Sequence, residues 1–297
     1  MLRRALLFVI APAAIAAAHA APAATPLPVI ASFSILADMV RQIGGPLVAV
    51  TSLVPVDGDA HVYQPKPSDL RAVKAARLVI LNGLNLEGWI KRLIQTSGYT
   101  GPVVVASAGL TPRQFDRHGT RQADPHAWQD LPNGAIYARN IADGLVRADP
   151  ANETIYRAGL ARYVGEIERT DAWTLAQLAD IPASRKKILT SHDAFGYFGA
   201  RYGIEFRGVQ GIDTEAEPSA REIAALVRQI RADNIRAVFV ENMTNPKLAQ
   251  AVARETGAIV GPMVYSDALS PPGGPADTYL RMFRHNVPLF VYAMQAN

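Results

Sequence analysis

The chain has 297 residues, 49% of them hydrophobic and 19% charged, so it can bury its own core as one large domain or two smaller ones. It contains no cysteine, which excludes disulfide bonds, thiolate metal sites, thiol catalysis and a lipid-bearing lipoprotein cysteine. The formal net charge of +4 is a small imbalance between interspersed acidic and basic residues, and it does not predict a nucleic-acid surface.

The first twenty residues have the features of a secretory signal peptide. Arg3 and Arg4 precede an apolar stretch at residues 5–18, and Ala18-His19-Ala20 fits the small-x-small cleavage pattern. The apolar stretch has about 14 residues, fewer than the roughly 20 that a membrane-spanning helix needs. We expect cleavage near Ala20 and export of a soluble protein to the periplasm, with an N-terminal membrane anchor as the alternative.

After this leader, short β-branched runs alternate with amphipathic helical patterns. The predicted strands are residues 29–33, 48–54, 78–82 and 103–106. The predicted helices are residues 35–43, 67–76, 86–97 and 133–148. This order predicts a mainly parallel sheet covered by helices.

The next stretch has no strand signal, and Pro150 and Pro182 bracket a run with apolar residues at helical spacing. A helix of about thirty residues would be about 45 Å long. Alternation then resumes. Further strands are predicted at residues 188–191, 206–210, 237–241 and 259–264. Further helices are predicted at residues 194–202, 219–232, 246–256 and 277–294.

These patterns predict an α/β fold of two lobes, each a mainly parallel sheet with flanking helices, joined by one long backbone helix. The predicted bounds are 1–20 for the signal peptide, 21–149 for the first lobe, 150–182 for the connecting helix and 183–297 for the second lobe. A single doubly wound domain is the alternative, although a helix of that length would be an unusual insertion in it.

Four metal-ligand candidates lie beyond the carboxyl ends of predicted strands, where open α/β sheets place their ligand crevices. They are His61, His126, His192 and Asp267, two from each lobe. A single histidine after a strand is more often structural, so the prediction depends on the four equivalent positions. Three imidazoles and one carboxylate suit tetrahedral zinc, whereas calcium and magnesium prefer oxygen ligands. We therefore predict one transition-metal ion held between the lobes.

The sequences around these residues resemble those of the zinc- and manganese-binding subunits of ABC importers, the cluster A-I (cluster 9) solute-binding proteins. The motifs are Asp57-Gly58-Asp59-Ala60-His61-Val62-Tyr63-Gln64-Pro65, Asp124-Pro125-His126-Ala127-Trp128, Ser191-His192-Asp193-Ala194-Phe195-Gly196-Tyr197-Phe198 and Tyr265-Ser266-Asp267. Residues 211–219 and 240–242 are also similar, and the resemblance covers essentially the whole mature chain.

This resemblance implies that His61, His126, His192 and Asp267 bind the transported ion. His192 favours Zn²⁺, because manganese binders of the family usually have Glu at that position; Mn²⁺, or both metals, is the alternative. Many zinc-specific relatives have a long His-rich loop before the second motif, and here residues 111–123 hold only His118. The role of His118 stays open. The implied partners are a membrane permease with a separate ATPase subunit, and we expect a monomer; loading by a metallochaperone stays open.

Asp124, Asp193 and Glu241 are candidates to accept a hydrogen bond from a ligand imidazole. A zinc-dependent hydrolase built on the same four ligands is the rival function. Four protein donors leave no open position for a catalytic water, and the chain has no H-E-x-x-H or G-x-S-x-G motif, so we expect no enzyme activity. A surface adhesin is a third function, for which the chain offers no lipid-anchoring cysteine.

Overall fold

A computed structural model describes residues 25–117, 120–212, 214 and 217–297. The predicted signal peptide and His118 lie outside the described residues. Within these ranges the strands are β1 (Leu27–Ala31), β2 (Val48–Ser52), β3 (Leu78–Leu81), β4 (Val103–Val105), β5 (Gln114–Arg117), β6 (Thr120–Ala123), β7 (Lys187–Thr190), β8 (Glu205–Gly208), β9 (Ala237–Phe239) and β10 (Ile259–Val260). The helices are α1 (Ser34–Gly44), α2 (Pro67–Ala75), α3 (Ile90–Ser97), α4 (Leu131–Ala148), α5 (Glu153–Leu178), α6 (Gly196–Tyr202), α7 (Ala220–Ala232), α8 (Pro246–Thr256) and α9 (Tyr279–Ala296).

Each half of the described chain forms a four-stranded parallel sheet. The first has the order β2-β1-β3-β4 and the second the order β10-β9-β7-β8. In both, the first strand in sequence occupies a central position, so the chain crosses from one side of that strand to the other. Crevices form at the carboxyl ends of strands where such a reversal occurs.

The 26-residue helix α5 connects the two sheets and would be about 39 Å long. It packs against α1 and α4 of the first half and α9 of the second. Tyr163 and Ile167 of α5 belong to one buried hydrophobic cluster with Phe283 and Val287 of α9. The core therefore continues from one lobe to the other along this helix. None of the helices in the described ranges combines the length and apolar character that a membrane crossing requires.

The structure confirms the predicted fold class of two parallel-sheet lobes joined by a long helix. The exact lobe boundaries stay a prediction. The sequence prediction missed an antiparallel hairpin of β5 and β6, which lies between β4 and α4. It also made the last strand too long: β10 ends at Val260, and only a single bridge between Val264 and Glu241 follows it.

Candidate metal centre

The two sheets bring their carboxyl ends together, and the four predicted ligands lie at this junction. His61 is in the loop between β2 and α2, and His192 is the second residue after β7. Asp267 follows the bridge at Val264. His126 was predicted to come after β4, but the hairpin intervenes, so His126 follows β6 and precedes a short 3₁₀ helix, Ala127–Gln129.

The four side chains converge within coordinating distance of one point. One ligand atom from each of them lies within 4.8 Å of those of the other three. Asp267 Oδ2 is 3.1 Å from His192 Nε2, 3.2 Å from His61 Nε2 and 3.5 Å from His126 Nε2, and the two last Nε2 atoms are 3.3 Å apart. Bonds of about 2.0–2.1 Å to a tetrahedral zinc ion separate its donors by about 3.3 Å. The spacing therefore suits one ion surrounded by three imidazoles and a carboxylate.

The centre is closed to solvent except at one residue. The side chains of His126, His192 and Asp267 are fully buried, whereas that of His61 is 6% exposed. The second oxygen of Asp267, Oδ1, is buried and has no hydrogen-bond partner among the described residues. A buried carboxylate oxygen without a partner is costly. A bound cation would offset this cost.

Asp124 and His126 form the first of two carboxylate–imidazole pairs behind the ligands. Asp124 Oδ1 lies 2.8 Å from His126 Nδ1 and also accepts a hydrogen bond from the backbone N–H of His126 at 3.0 Å. This double contact fixes the ring, so its Nε2 faces the centre. A carboxylate behind an imidazole also makes the opposite nitrogen a stronger ligand.

Glu241 and His192 form the second pair. Glu241 Oε2 lies 2.6 Å from His192 Nδ1, although the two atoms are not aligned as a linear hydrogen bond. Glu241 Oε1 accepts hydrogen bonds from the His192 backbone N–H and from Ser191 Oγ, both at 2.9 Å. Glu241 is itself fully buried. The hydrogen bonds from Ser191 and His192 offset part of the cost of burying this carboxylate.

Asp193 differs from Asp124 and Glu241, although it stands beside His192 in sequence. Asp193 lines a separate cavity of about 340 Å³ together with Asp124 and Arg113, and among the described residues it forms no hydrogen bond or ion pair with an imidazole nitrogen. Burial is the main reason that the pKa of Asp193 is raised, and nearby Asp124 adds to it.

Asp59 supports His61 and was missed in the sequence. Asp59 Oδ1 accepts a hydrogen bond from the His61 backbone N–H at 2.8 Å, as Asp124 does for His126. Asp59 Oδ2 accepts one from Thr214 Oγ1 of the second lobe at 2.5 Å. The repeated Asp-x-His pattern at residues 59–61 and 124–126 is the signal that could have identified it.

Electrostatic coupling shifts the pKa values of three ligands. Burial opposes the charged form of His126, but Asp267 and Asp124 outweigh it and raise the pKa of His126 to about 9. Burial likewise opposes a charged His192, but Glu241 and Asp267 hold its pKa well above the usual value. Burial would raise the pKa of Asp267, yet His126 and His192 hold it well below its usual range. The cluster thus favours positive charge at its centre, as protons or as a metal ion.

The model of the family ZnuA, zinc-uptake complex component A periplasmic, matches residues 29–293. The chain belongs to this family. It is 34% identical over 265 residues to the manganese-binding lipoprotein MntA of Halalkalibacterium halodurans, covering 89% of this chain and 87% of that protein. It is 32% identical over 270 residues to the metal ABC transporter substrate-binding lipoprotein FimA of Streptococcus parasanguinis, covering 88% of this chain and 87% of that one.

Solved structures of similar proteins have the same architecture. The periplasmic zinc binding protein TroA from Treponema pallidum superimposes with a TM-score of 0.85 at 27% identity, over 91% of this chain and 99% of that one. A manganese-bound periplasmic metal binding protein from Candidatus Liberibacter asiaticus superimposes with a TM-score of 0.82 at 28% identity, over 91% and 100%. The predicted resemblance to metal-binding ABC-importer subunits is therefore confirmed.

Proposed function

We propose that this chain captures a divalent transition metal between its two lobes, zinc first and manganese second, and delivers it to an ABC importer. The observation that carries this proposal is the convergence of His61, His126, His192 and Asp267 on one point. Each proposed ligand comes from a different loop, so the centre exists only in the folded chain. Two of its relatives are named as substrate-binding lipoproteins of manganese or metal ABC transporters.

The choice of zinc rests on the donor set. Three imidazole nitrogens and one carboxylate oxygen supply four ligands at tetrahedral spacing, and imidazole binds zinc in preference to calcium or magnesium. Manganese is the second candidate because the unpartnered Asp267 Oδ1 can add an oxygen ligand, and manganese accepts oxygen-rich shells. Among similar solved structures, one named for zinc is 27% identical to this chain and a manganese-bound one is 28% identical.

The cellular setting follows from the same assignment. We propose that the signal peptide is cleaved near Ala20 and that the protein works in the periplasm as a monomer. Its partners are a membrane permease and a separate ATPase subunit, and a metallochaperone remains a candidate for loading the site. Several relatives are named lipoproteins, whereas this sequence contains no cysteine to carry a lipid. We also propose lobe bounds of 21–149 and 183–297, with residues 150–182 between them.

We further propose that the bound metal is cargo and supports no catalytic turnover. Four protein donors fill the positions of a tetrahedral ion, whereas catalytic zinc keeps a position for water. Glu241, a candidate for a general base, is already engaged by Ser191 and His192. A buried centre in which Asp124 and Glu241 are held by the ligand residues in this way suits tight holding of an ion.

Elemental analysis of the purified protein, followed by competition between zinc and manganese for the metal-free form, tests the proposal. We expect one ion per chain and tighter binding of zinc. Binding of neither metal at stoichiometric amounts would overturn the function. Tighter binding of manganese would overturn the order of the two metals and leave the transport role intact.

A further inference from the structure

The segment that contains α2 and α3 holds a concentration of positive charge. Residues 66–97 have two acidic side chains, Asp69 and Glu87, against six basic ones. The basic side chains are Lys66, Arg71, Lys74, Arg77, Lys91 and Arg92. All six are exposed, and none forms an ion pair with another described residue. The excess of four positive charges equals the net charge of the whole chain.

The two acidic residues of this segment do not neutralise that surface. Glu87 is buried, where it accepts hydrogen bonds from Ser32 Oγ at 2.5 Å and from the Asn82 backbone N–H at 2.7 Å. Asp69 accepts hydrogen bonds from Tyr63 Oη and from the backbone N–H of Lys66. The surface therefore presents cations to an anionic partner with little internal competition.

An apolar groove of about 570 Å³ opens in the same surface, between the N-terminal turns of α2 and α3. We call it the α2–α3 groove. Its walls include the side chains of Tyr63, Leu70, Trp89 and Leu93, and the basic residues Lys66 and Arg92 also line it. Val62, next to Tyr63 in the sequence, is 43% exposed. Apolar walls bordered by unpaired cations are typical of a surface that binds a partner.

The α2–α3 groove adjoins the loop that carries His61. The indole Nε1–H of Trp89 donates a hydrogen bond to the Ala60 carbonyl at 2.8 Å, and the rings of Tyr63 and Trp89 are in contact at 5.1 Å between centroids. Both helices begin at the carboxyl edge of the first sheet, the edge at which the metal centre lies. A partner in the groove would therefore touch the residues that flank His61.

We propose that the α2–α3 groove docks an acidic segment of the importer's permease, with an apolar side chain of that segment inserted between Tyr63 and Leu93. This rests on the proposed function, because it assigns a surface to the importer. The positive charge selects an acidic partner. The concave apolar wall favours an inserted side chain over a flat lipid surface. Proximity to His61 favours the partner that receives the ion.

The test measures binding of the zinc-loaded protein to the purified permease–ATPase complex that takes metal from it, held in phosphatidylcholine nanodiscs. The variant is the double charge reversal Lys66→Glu with Arg92→Glu. The matched control is Arg228→Glu with Arg254→Glu, two exposed positions on α7 and α8 of the second lobe. We expect the first variant to bind at least about tenfold more weakly and the control to bind like the wild type, since steering by a local patch alters association by this factor or more.

Zinc affinity of each variant is measured separately, so the two proposals fail in different ways. Unchanged zinc affinity with weakened docking is the expected result. Undiminished docking of the Lys66→Glu, Arg92→Glu variant, or an equal loss in the control, would overturn the groove as the docking site. Equally tight binding of the wild type to protein-free phosphatidylglycerol nanodiscs, lost in the same variant, would replace the permease by an anionic membrane. A wild-type protein that binds neither zinc nor manganese would overturn the proposed function itself.

Discussion

Glu241 Oε2 lies 2.6 Å from His192 Nδ1, and both side chains are fully buried. The same carboxylate accepts a hydrogen bond from the His192 backbone N–H, so it sets the position of the residue as well as the direction of its ring. Changing Glu241 to Gln removes the negative charge and keeps the shape. We expect zinc affinity to fall about 10–100-fold, the usual effect of losing such a partner. Competition with a fluorescent chelator measures it.

Asp193→Asn is the control for that substitution, because Asp193 stands next to His192 in sequence but lines a separate cavity. We expect a smaller loss of zinc affinity than for Glu241→Gln. Equal losses in the two variants would mean that general negative charge near the centre, and not the Glu241–His192 contact, sets the affinity.

Removal of His126 tests the ligand set directly. His126→Ala should weaken zinc binding by more than about 100-fold, since losing a ligand costs more than losing its supporting carboxylate. His285, whose Nε2 lies 2.9 Å from the Met263 carbonyl, serves as the matched histidine outside the centre. His285→Ala should bind zinc normally. Circular dichroism of both metal-free variants checks the fold, and normal zinc affinity in folded His126→Ala would remove this residue from the site.

Zinc binding should release protons at neutral pH. The pKa of His126 is raised to about 9, so this imidazole is protonated at pH 7 before the ion binds, and a ligand imidazole must be neutral. Titration calorimetry in buffers of different ionisation enthalpy should give about one proton or more per ion. Affinity should fall progressively as the pH decreases from about 9. A release of zero protons at pH 7 would contradict the coupling between His126 and Asp267.

The raised pKa of His126 gives the stability of the metal-free protein the opposite pH dependence to that of zinc affinity. The pKa of His126 is raised in the folded state from 6.5 to about 9, so protonation of His126 stabilises the fold fully below pH 6.5 and is lost as the pH rises through about 9. The melting temperature of the metal-free protein should therefore fall over this interval. The melting temperature of His126→Ala should fall less over the same interval. Thermal melts of both proteins at pH 6.5 and at about pH 9 measure the difference.

The fold could be predicted where local pattern and tertiary structure agree. Buried parallel strands read as β-branched runs, and Pro150 and Pro182 mark the region of the long helix because proline interrupts regular hydrogen bonding. The hairpin of β5 and β6 was missed because its strands are short and charged and, among the described strands, pair only with each other. The last strand ends earlier than predicted, because Pro262 lacks the N–H that would continue the ladder.

The four proposed ligands could be predicted from the sequence, whereas the contacts that position them could not. Parallel strands place their carboxyl ends on one edge, so residues that follow several strands come together whatever the loops do. Asp124 shares the Asp-x-His pattern with Asp59, but Asp193 and Glu241 were indistinguishable in sequence, since each stands near a candidate ligand or a strand end. Only the three-dimensional arrangement shows that Glu241 faces an imidazole, whereas Asp193 lines another cavity.

Two glycines of α5 offer a test of how closely this helix packs against α1 of the first lobe. A Cβ added at Gly159 would lie 2.1 Å from the Ile43 carbonyl oxygen of α1, whereas one added at Gly165 would meet nothing nearer than Arg169 Nη1 at 3.4 Å. Alanine in a helix interior is favoured over glycine by about 0.5–1 kcal/mol. Gly165→Ala should therefore raise the free energy of unfolding by about that amount. Gly159→Ala should lower it by about 1–3 kcal/mol, because backbone atoms of α1 must move. Urea unfolding of the two metal-free variants measures both values, and a gain in both would show that α1 and α5 can separate without cost.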